Sequence, residues 1–157
     1  FSGNNDQLIS SYMRDLSEKG KYTVNAEILS SLQKQFAAGC TNESETLATI
    51  QKYYDKYGYV VDPHTAVALN VYEQNGDDSK SVILSTASPY KFPASVCKAI
   101  DPDLDTSDEW KLFDVVKETS GLEVPASLNG LKEKTVRFGG VCDAPQMADE
   151  ICGFLKI

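Results

Sequence analysis

The chain has 157 residues, 41% apolar and 24% charged, which is the composition of an ordinary globular domain large enough for a core of its own. Its net charge of −8 argues against nucleic acid or an anionic membrane as a partner, because both are recognised by clustered Lys and Arg. No apolar run approaches the roughly 20 residues of a membrane span.

The first 58 residues predict three helices. Asn4 or Asn5 caps the first, with Leu8, Ile9, Tyr12, Met13 and Leu16 on one face and Gly20 as the stop. Asn25 caps the second, whose stripe runs through Leu29, Leu32 and Phe36 to Gly39. The third starts at Asn42-Glu43-Ser44-Glu45, a capping-box pattern, and carries Leu47, Ile50 and Tyr54 to Gly58. Residues 59–61 are short and β-prone, and Pro63 suits the first turn of a helix over about 64–73. Asn75-Gly76-Asp77-Asp78 predicts a turn. Residues 81–85 read as the best strand; the unbroken Val82-Ile83-Leu84 run predicts burial on both faces, as in a parallel sheet. Residues 89–100 predict a helix with Phe92, Val96 and Ile100 spaced four apart, and an acidic stretch over 101–108 leads to another helix through Trp110, Phe113 and Val116. Residues 122–131 read as a loop, 134–138 as a strand, and Pro145 or Gln146 opens a last helix with Met147, Ile151 and Leu155.

Few side chains offer chemistry. Cys40, Cys97, Cys142 and Cys152 lack Cys-x-x-Cys spacing and lie far in sequence from the single histidine, His64, so neither zinc nor a disulfide framework is expected. They read as reduced, mostly structural thiols of a cytoplasmic protein. The opening Phe1-Ser2-Gly3-Asn4-Asn5 has no signal-peptide character and no initiator Met, so position 1 is expected to lie inside a longer polypeptide. That opening is a helix cap rather than a phosphate cradle, and the acidic stretch is a solvated linker, since it lacks the glycine-containing loop of an EF-hand. Tyr53, Tyr54, Tyr57 and Tyr59 are spaced for helix packing. Ser85, Thr86 and Ser88 cluster at the end of the expected buried strand. Hydroxyls there either cap the next helix or bind a ligand at the carboxyl end of a parallel strand.

Two segments are informative together. Residues 58–68 read Gly-Tyr-Val-Val-Asp-Pro-His-Thr-Ala-Val-Ala, and residues 81–92 read Ser-Val-Ile-Leu-Ser-Thr-Ala-Ser-Pro-Tyr-Lys-Phe. With the order of elements before them, this pair resembles threonine synthase, an enzyme using pyridoxal phosphate (PLP). The resemblance covers residues 1–100; residues 101–157 match only as a C-terminal tail. It implies part of the large domain of a fold type II PLP enzyme. That is an α/β fold, helix-rich with a small, mostly parallel sheet. The chain is expected to be one unit made of a helical segment (1–58), a cofactor-side α/β segment (59–100) and a tail (101–157).

The implied reaction converts O-phospho-L-homoserine and water to L-threonine and phosphate. The resemblance places Thr86 against the pyridine nitrogen of PLP, with Ser85 and Ser88 as neighbours and His64 in support. Many relatives carry His where this chain has Ser88. The family's Schiff-base lysine sits in a Lys-Asp context, and no Lys-Asp dipeptide occurs here; the Gly/Ser/Asn-rich loop for the cofactor phosphate is absent too. The resemblance therefore implies a C-terminal portion without catalytic residues of its own, inactive alone, that exposes sheet edges or apolar faces and self-associates through them. The competing reading is a stand-alone, non-catalytic α/β binding or interaction domain with a closed core. A hydrolase using His64 with Ser85 or Ser88 would need those groups in hydrogen-bond reach, and no Gly-x-Ser-x-Gly elbow is present.

Overall fold

A computed structural model describes residues 1–76, 79–137 and 139–157. Among these, the regular elements are seven α-helices and two 3-10 turns. They fall into two compact units, Phe1–Leu122 and Glu123–Ile157.

Local chemistry sets most helix ends. In α1 (Asp6–Lys19), the Asn5 side chain accepts from the Leu8 amide and Gly20 closes the helix at φ 70°. Asn25 does the same for α2 (Ala26–Gln33) by accepting from Ile28. α2 stops at Gln33 instead of running to Gly39, which leaves Phe36 outside the helix and exposed. α3 (Glu43–Tyr57) has the expected capping box between Asn42 and Glu45, and Gly58 ends it at φ 64°. α4 (Pro63–Asn75) begins with Asp62 as cap and Pro63 in its first turn. The single helix expected over 89–100 is two pieces, a 3-10 turn (Pro89–Lys91) and α5 (Pro93–Ile100). Pro93 is the cause: the residue before a proline is pushed out of the helical region, and Phe92 sits at φ −135°, ψ 53°. α6 (Glu109–Ser120) starts at Asp108, which accepts from the Trp110 amide. In the second unit a 3-10 turn (Ala144–Gln146) precedes α7 (Met147–Leu155).

The core of the first unit is helical. Ile50 of α3, Val61, Ala66 and Leu69 of α4, and Ala99 of α5 form one buried cluster, with Leu47, Tyr53 and Ile83 packed on it. α5 turns its other side to α6, where Val96, Cys97, Leu112 and Val116 are buried. Burial of each of the Val, Leu and Ile side chains among these contributes about 1.5–3 kcal/mol. The Tyr90 hydroxyl donates to the Leu122 carbonyl at 2.6 Å, which ties the chain after α6 back to the turn before α5. Tyr53 and Lys52 of α3 both reach Glu73 of α4. Among the described residues no helix is long and apolar enough to cross a membrane.

The expected α/β architecture is overturned. None of the described residues lies in a β-strand, so the small parallel sheet is absent and the fold is helical. Residues 59–61 are buried at Val60 and Val61 as an irregular approach to α4. Residues 81–85 are non-regular, and they are not buried on both faces: Ile83 packs on the core, whereas Val82 and Leu84 are 86% and 74% exposed. Residues 134–137 are irregular as well, and Phe138 lies outside the described residues, as do Asp77 and Asp78 of the expected turn. A strand is defined by a ladder with a second strand, and β-prone composition cannot supply that partner.

Candidate functional site

The site lies where the two informative segments meet, at the start of α4. Its centre is Asp62, which is completely buried. Pro63 restricts Asp62 to an extended conformation (φ −75°, ψ 161°), which suits a helix cap. The carboxylate oxygen Oδ1 accepts from the His64 amide at 2.9 Å and the Thr65 amide at 3.4 Å, and Oδ2 accepts from the Thr65 hydroxyl. His64 Nδ1 lies 3.3 Å from the same Oδ1, so the buried carboxylate orients the exposed imidazole by its Nδ1 edge. The helix N-terminus adds favourable dipole potential for the anion.

Two contacts join this turn to the second segment. Thr65 Oγ1 is 3.3 Å from Ser85 Oγ. The His64 ring packs on Phe92 with centroids 4.8 Å apart, and Lys91 Nζ lies 5.4 Å from the Phe92 ring centre. His64 and Ser85 are thus brought to one place through Asp62, Thr65 and Phe92.

The three hydroxyls expected to act as a cluster are in different states. Ser85 is engaged with Thr65. Ser88 caps the 3-10 turn, its oxygen accepting from the Tyr90 amide at 3.3 Å. Thr86 is exposed, and its hydroxyl makes no hydrogen bond with another described residue. No hydrogen bond among the described residues connects His64 to Ser85 or Ser88, so the geometry needed for hydrolase chemistry is not formed. The capping reading holds for Ser88 but not for its two neighbours.

Sequence reasoning missed Asp62 and Thr65. The signal for Asp62 was present in its position before Pro63 at a strand-to-helix break; its burial was not readable. The other singled-out groups stay apart. Asn5 caps α1, in keeping with a helix start. In the acidic stretch the Asp105 carboxyl is held below the usual range chiefly by the Ser107 amide, a local turn bond. Of the four free thiols only Cys97 is buried, and burial pushes its pKa up; Cys40, Cys142 and Cys152 are exposed, so most are not structural. Tyr53 is raised to about 12, first by burial and then by the adjoining Glu73 carboxylate, so this phenol is a donor in the α3–α4 contact.

Comparison with known proteins bears on what this site belongs to. The family described as "Threonine synthase, C-terminal" matches residues 65–149, a span that contains Thr65, Ser85, Thr86 and Ser88. The chain belongs to the threonine synthase C-terminal family. Threonine synthase of Schizosaccharomyces pombe is 30% identical over 141 residues, covering 85% of this chain and 25% of that protein. Threonine synthase-like 1 of Homo sapiens is 33% identical over 95 residues, 60% of this chain and 13% of that protein. The crystal structure of PLP-bound threonine synthase from Brucella melitensis superposes with a TM-score of 0.66 at 26% identity, over 95% of this chain and 28% of that one. The chain therefore spans about a quarter of the length of the threonine synthases it matches.

Proposed function

We propose that the chain is the cofactor-side, C-terminal part of a PLP-dependent threonine synthase, which converts O-phospho-L-homoserine and water to L-threonine and phosphate, and that this part is inactive alone. The observation that carries the reading is the state of Thr86. Its hydroxyl is exposed, makes no hydrogen bond with another described residue and lies between two engaged ones, next to the point where the two family segments meet. A free neutral hydroxyl fits the ring-nitrogen edge of PLP. No Lys-Asp dipeptide occurs in the chain, and the Ser2-Gly3-Asn4-Asn5 stretch serves as the cap of α1, so the lysine and the phosphate cradle of the group find no match here.

PLP, when bound, supplies the electron sink that stabilises carbanions formed on the substrate. The chain's own residues do simpler work. Thr86 would donate a hydrogen bond to the ring nitrogen and, unlike a carboxylate, would not hold that nitrogen protonated. Ser88 keeps the following turn in place through Tyr90, and Ser85 ties the Thr86 segment to α4. His64, oriented by Asp62, is the supporting polar group beside them. Residues 59–100 carry this cofactor side, residues 1–58 support it and residues 101–157 form the tail. Val82 and Leu84 belong to the face that the remaining part of the enzyme covers, and without it the chain self-associates there.

A PLP titration followed by borohydride reduction and peptide mapping tests the reading. The 157-residue chain should trap no lysine. The full-length protein should trap one lysine outside these residues and release phosphate from O-phospho-L-homoserine. Threonine formation by the chain alone, or one specific trapped lysine within it, would overturn the proposal.

A further inference from the structure

We infer that Asp62 is a positioning residue that dictates proton order along Thr65 and Ser85, turning the Ser85 proton inward and leaving Thr86 as the donor to the cofactor ring. The inference rests on the proposed PLP site for its last link, and on geometry alone for the others.

The argument is one of proton counting. A carboxylate can only accept hydrogen bonds, and a threonine or serine hydroxyl has one proton to donate. Asp62 is fully buried, and its Oδ2 is in contact with Thr65 Oγ1, so the single Thr65 proton goes to the carboxylate. Charge-assisted bonds of this kind are roughly twice as strong as neutral ones, which decides the competition for that proton. Thr65 Oγ1 then has only lone pairs left for Ser85 Oγ at 3.3 Å, and the Ser85 hydroxyl must be the donor of that contact. Ser85 consequently offers only acceptor capacity outward. Ser88 keeps its proton, but its oxygen is anchored on the Tyr90 amide. Thr86 alone among the three makes no hydrogen bond with another described residue, so its rotor is set by no partner. A ring nitrogen presenting a lone pair needs a donor, and Ser85 cannot provide one while Thr65 and Asp62 hold its proton.

The test has two arms with separate outcomes. In the 157-residue chain without cofactor, a double-mutant cycle on unfolding addresses the network. Thr65→Val should raise the unfolding equilibrium constant by on the order of tenfold or more, because it strips a donor from buried Asp62. Ser85→Ala should raise it by about fivefold at most, and by nothing further in the Thr65→Val background, while Thr65→Ser should restore near-parental behaviour. Additive effects of the two substitutions would overturn the network. In the full-length protein, PLP affinity and the absorption maximum of the bound cofactor address the donor assignment. Thr86→Val should weaken PLP binding by about tenfold and shift the absorption maximum. Ser85→Ala should weaken it by no more than about threefold without that shift. A spectral shift for Ser85→Ala equal to that of Thr86→Val would overturn the assignment. Failure of the unsubstituted full-length protein to bind PLP would instead reject the functional reading, and with it the Thr86 link, while the unfolding cycle would still decide whether Thr65 and Ser85 are coupled beside Asp62.

Discussion

Replacing Asp62 by alanine should destabilise the first unit more than any exposed cap would. The side chain accepts from two backbone amides at the α4 N-terminus and from the Thr65 hydroxyl, all in a fully buried setting. Loss of a helix cap costs about 1 kcal/mol. The Thr65 hydroxyl, itself buried, then loses its acceptor, which adds about 1–3 kcal/mol. The sum is about 2–4 kcal/mol, a large share of a typical stability of ~5–15 kcal/mol. With a urea dependence of about 2 kcal/mol per molar, the unfolding midpoint should drop by ~1–2 M. Asp62→Asn keeps an acceptor for the amides and should lose only about 1 kcal/mol. Urea titration of parent and variants, followed by far-ultraviolet circular dichroism and by the fluorescence of Trp110 in α6, measures both. An Asp62→Ala midpoint within ~0.3 M of the parent would refute the reasoning, because it would mean that the carboxylate is neither buried nor engaged as described.

Tyr53 gives a prediction at alkaline pH. Its folded-state pKa is raised from 10.0 to about 12, by burial and then by Glu73, so the fold binds the phenolic proton more tightly than the unfolded chain does. The associated stability is fully present below pH 10 and is lost as pH rises through about 12. Tyr53→Phe should flatten the fall of stability across that window in pH-dependent thermal melts. Thiol labelling should distinguish the cysteines: Cys40, Cys142 and Cys152 should react within the dead time of a mild reagent, and Cys97 only on unfolding, since it is buried with its thiol 3.9 Å from the Leu112 carbonyl. Fast reaction of all four would show that the α5–α6 contact is open. Substituting Val82 and Leu84 together by lysine should lower self-association of the chain in sedimentation velocity without changing its helical content, because both side chains face solvent. An unchanged sedimentation profile would remove this segment from the associating surface.

The helical part of the fold was legible because its signals are local. Asn5, Asn25 and Asn42 cap the helices they precede, and Gly20 and Gly58 end α1 and α3 in the left-handed conformation that glycine tolerates. Each device acts within a few residues, so its effect can be read from the order of the chain. The split of the 89–100 helix was legible in principle too, since Pro93 forbids helical backbone at Phe92. Of the four side chains singled out, His64 and Ser85 meet at the start of α4 through Asp62 and Thr65, and that buried link went unnoticed in the sequence.

What the sequence determined by itself was thus the helices, their capping and the family to which the two segments belong. Tertiary structure decided the rest. The Val82-Ile83-Leu84 run has the composition of a buried parallel strand, but a strand needs a neighbour to accept and donate its backbone hydrogen bonds. Without one among the described residues, Ile83 turns to the helical core while Val82 and Leu84 face outward. Ser85, Thr86 and Ser88 are chemically almost identical along the chain. They become different only because the Thr65 hydroxyl, 20 positions before Ser85, and the Tyr90 amide, two positions after Ser88, engage two of them, leaving Thr86 without a hydrogen bond to another described residue. Hydroxyl protons are assigned by whatever acceptor the fold brings near, and sequence order does not carry that distance.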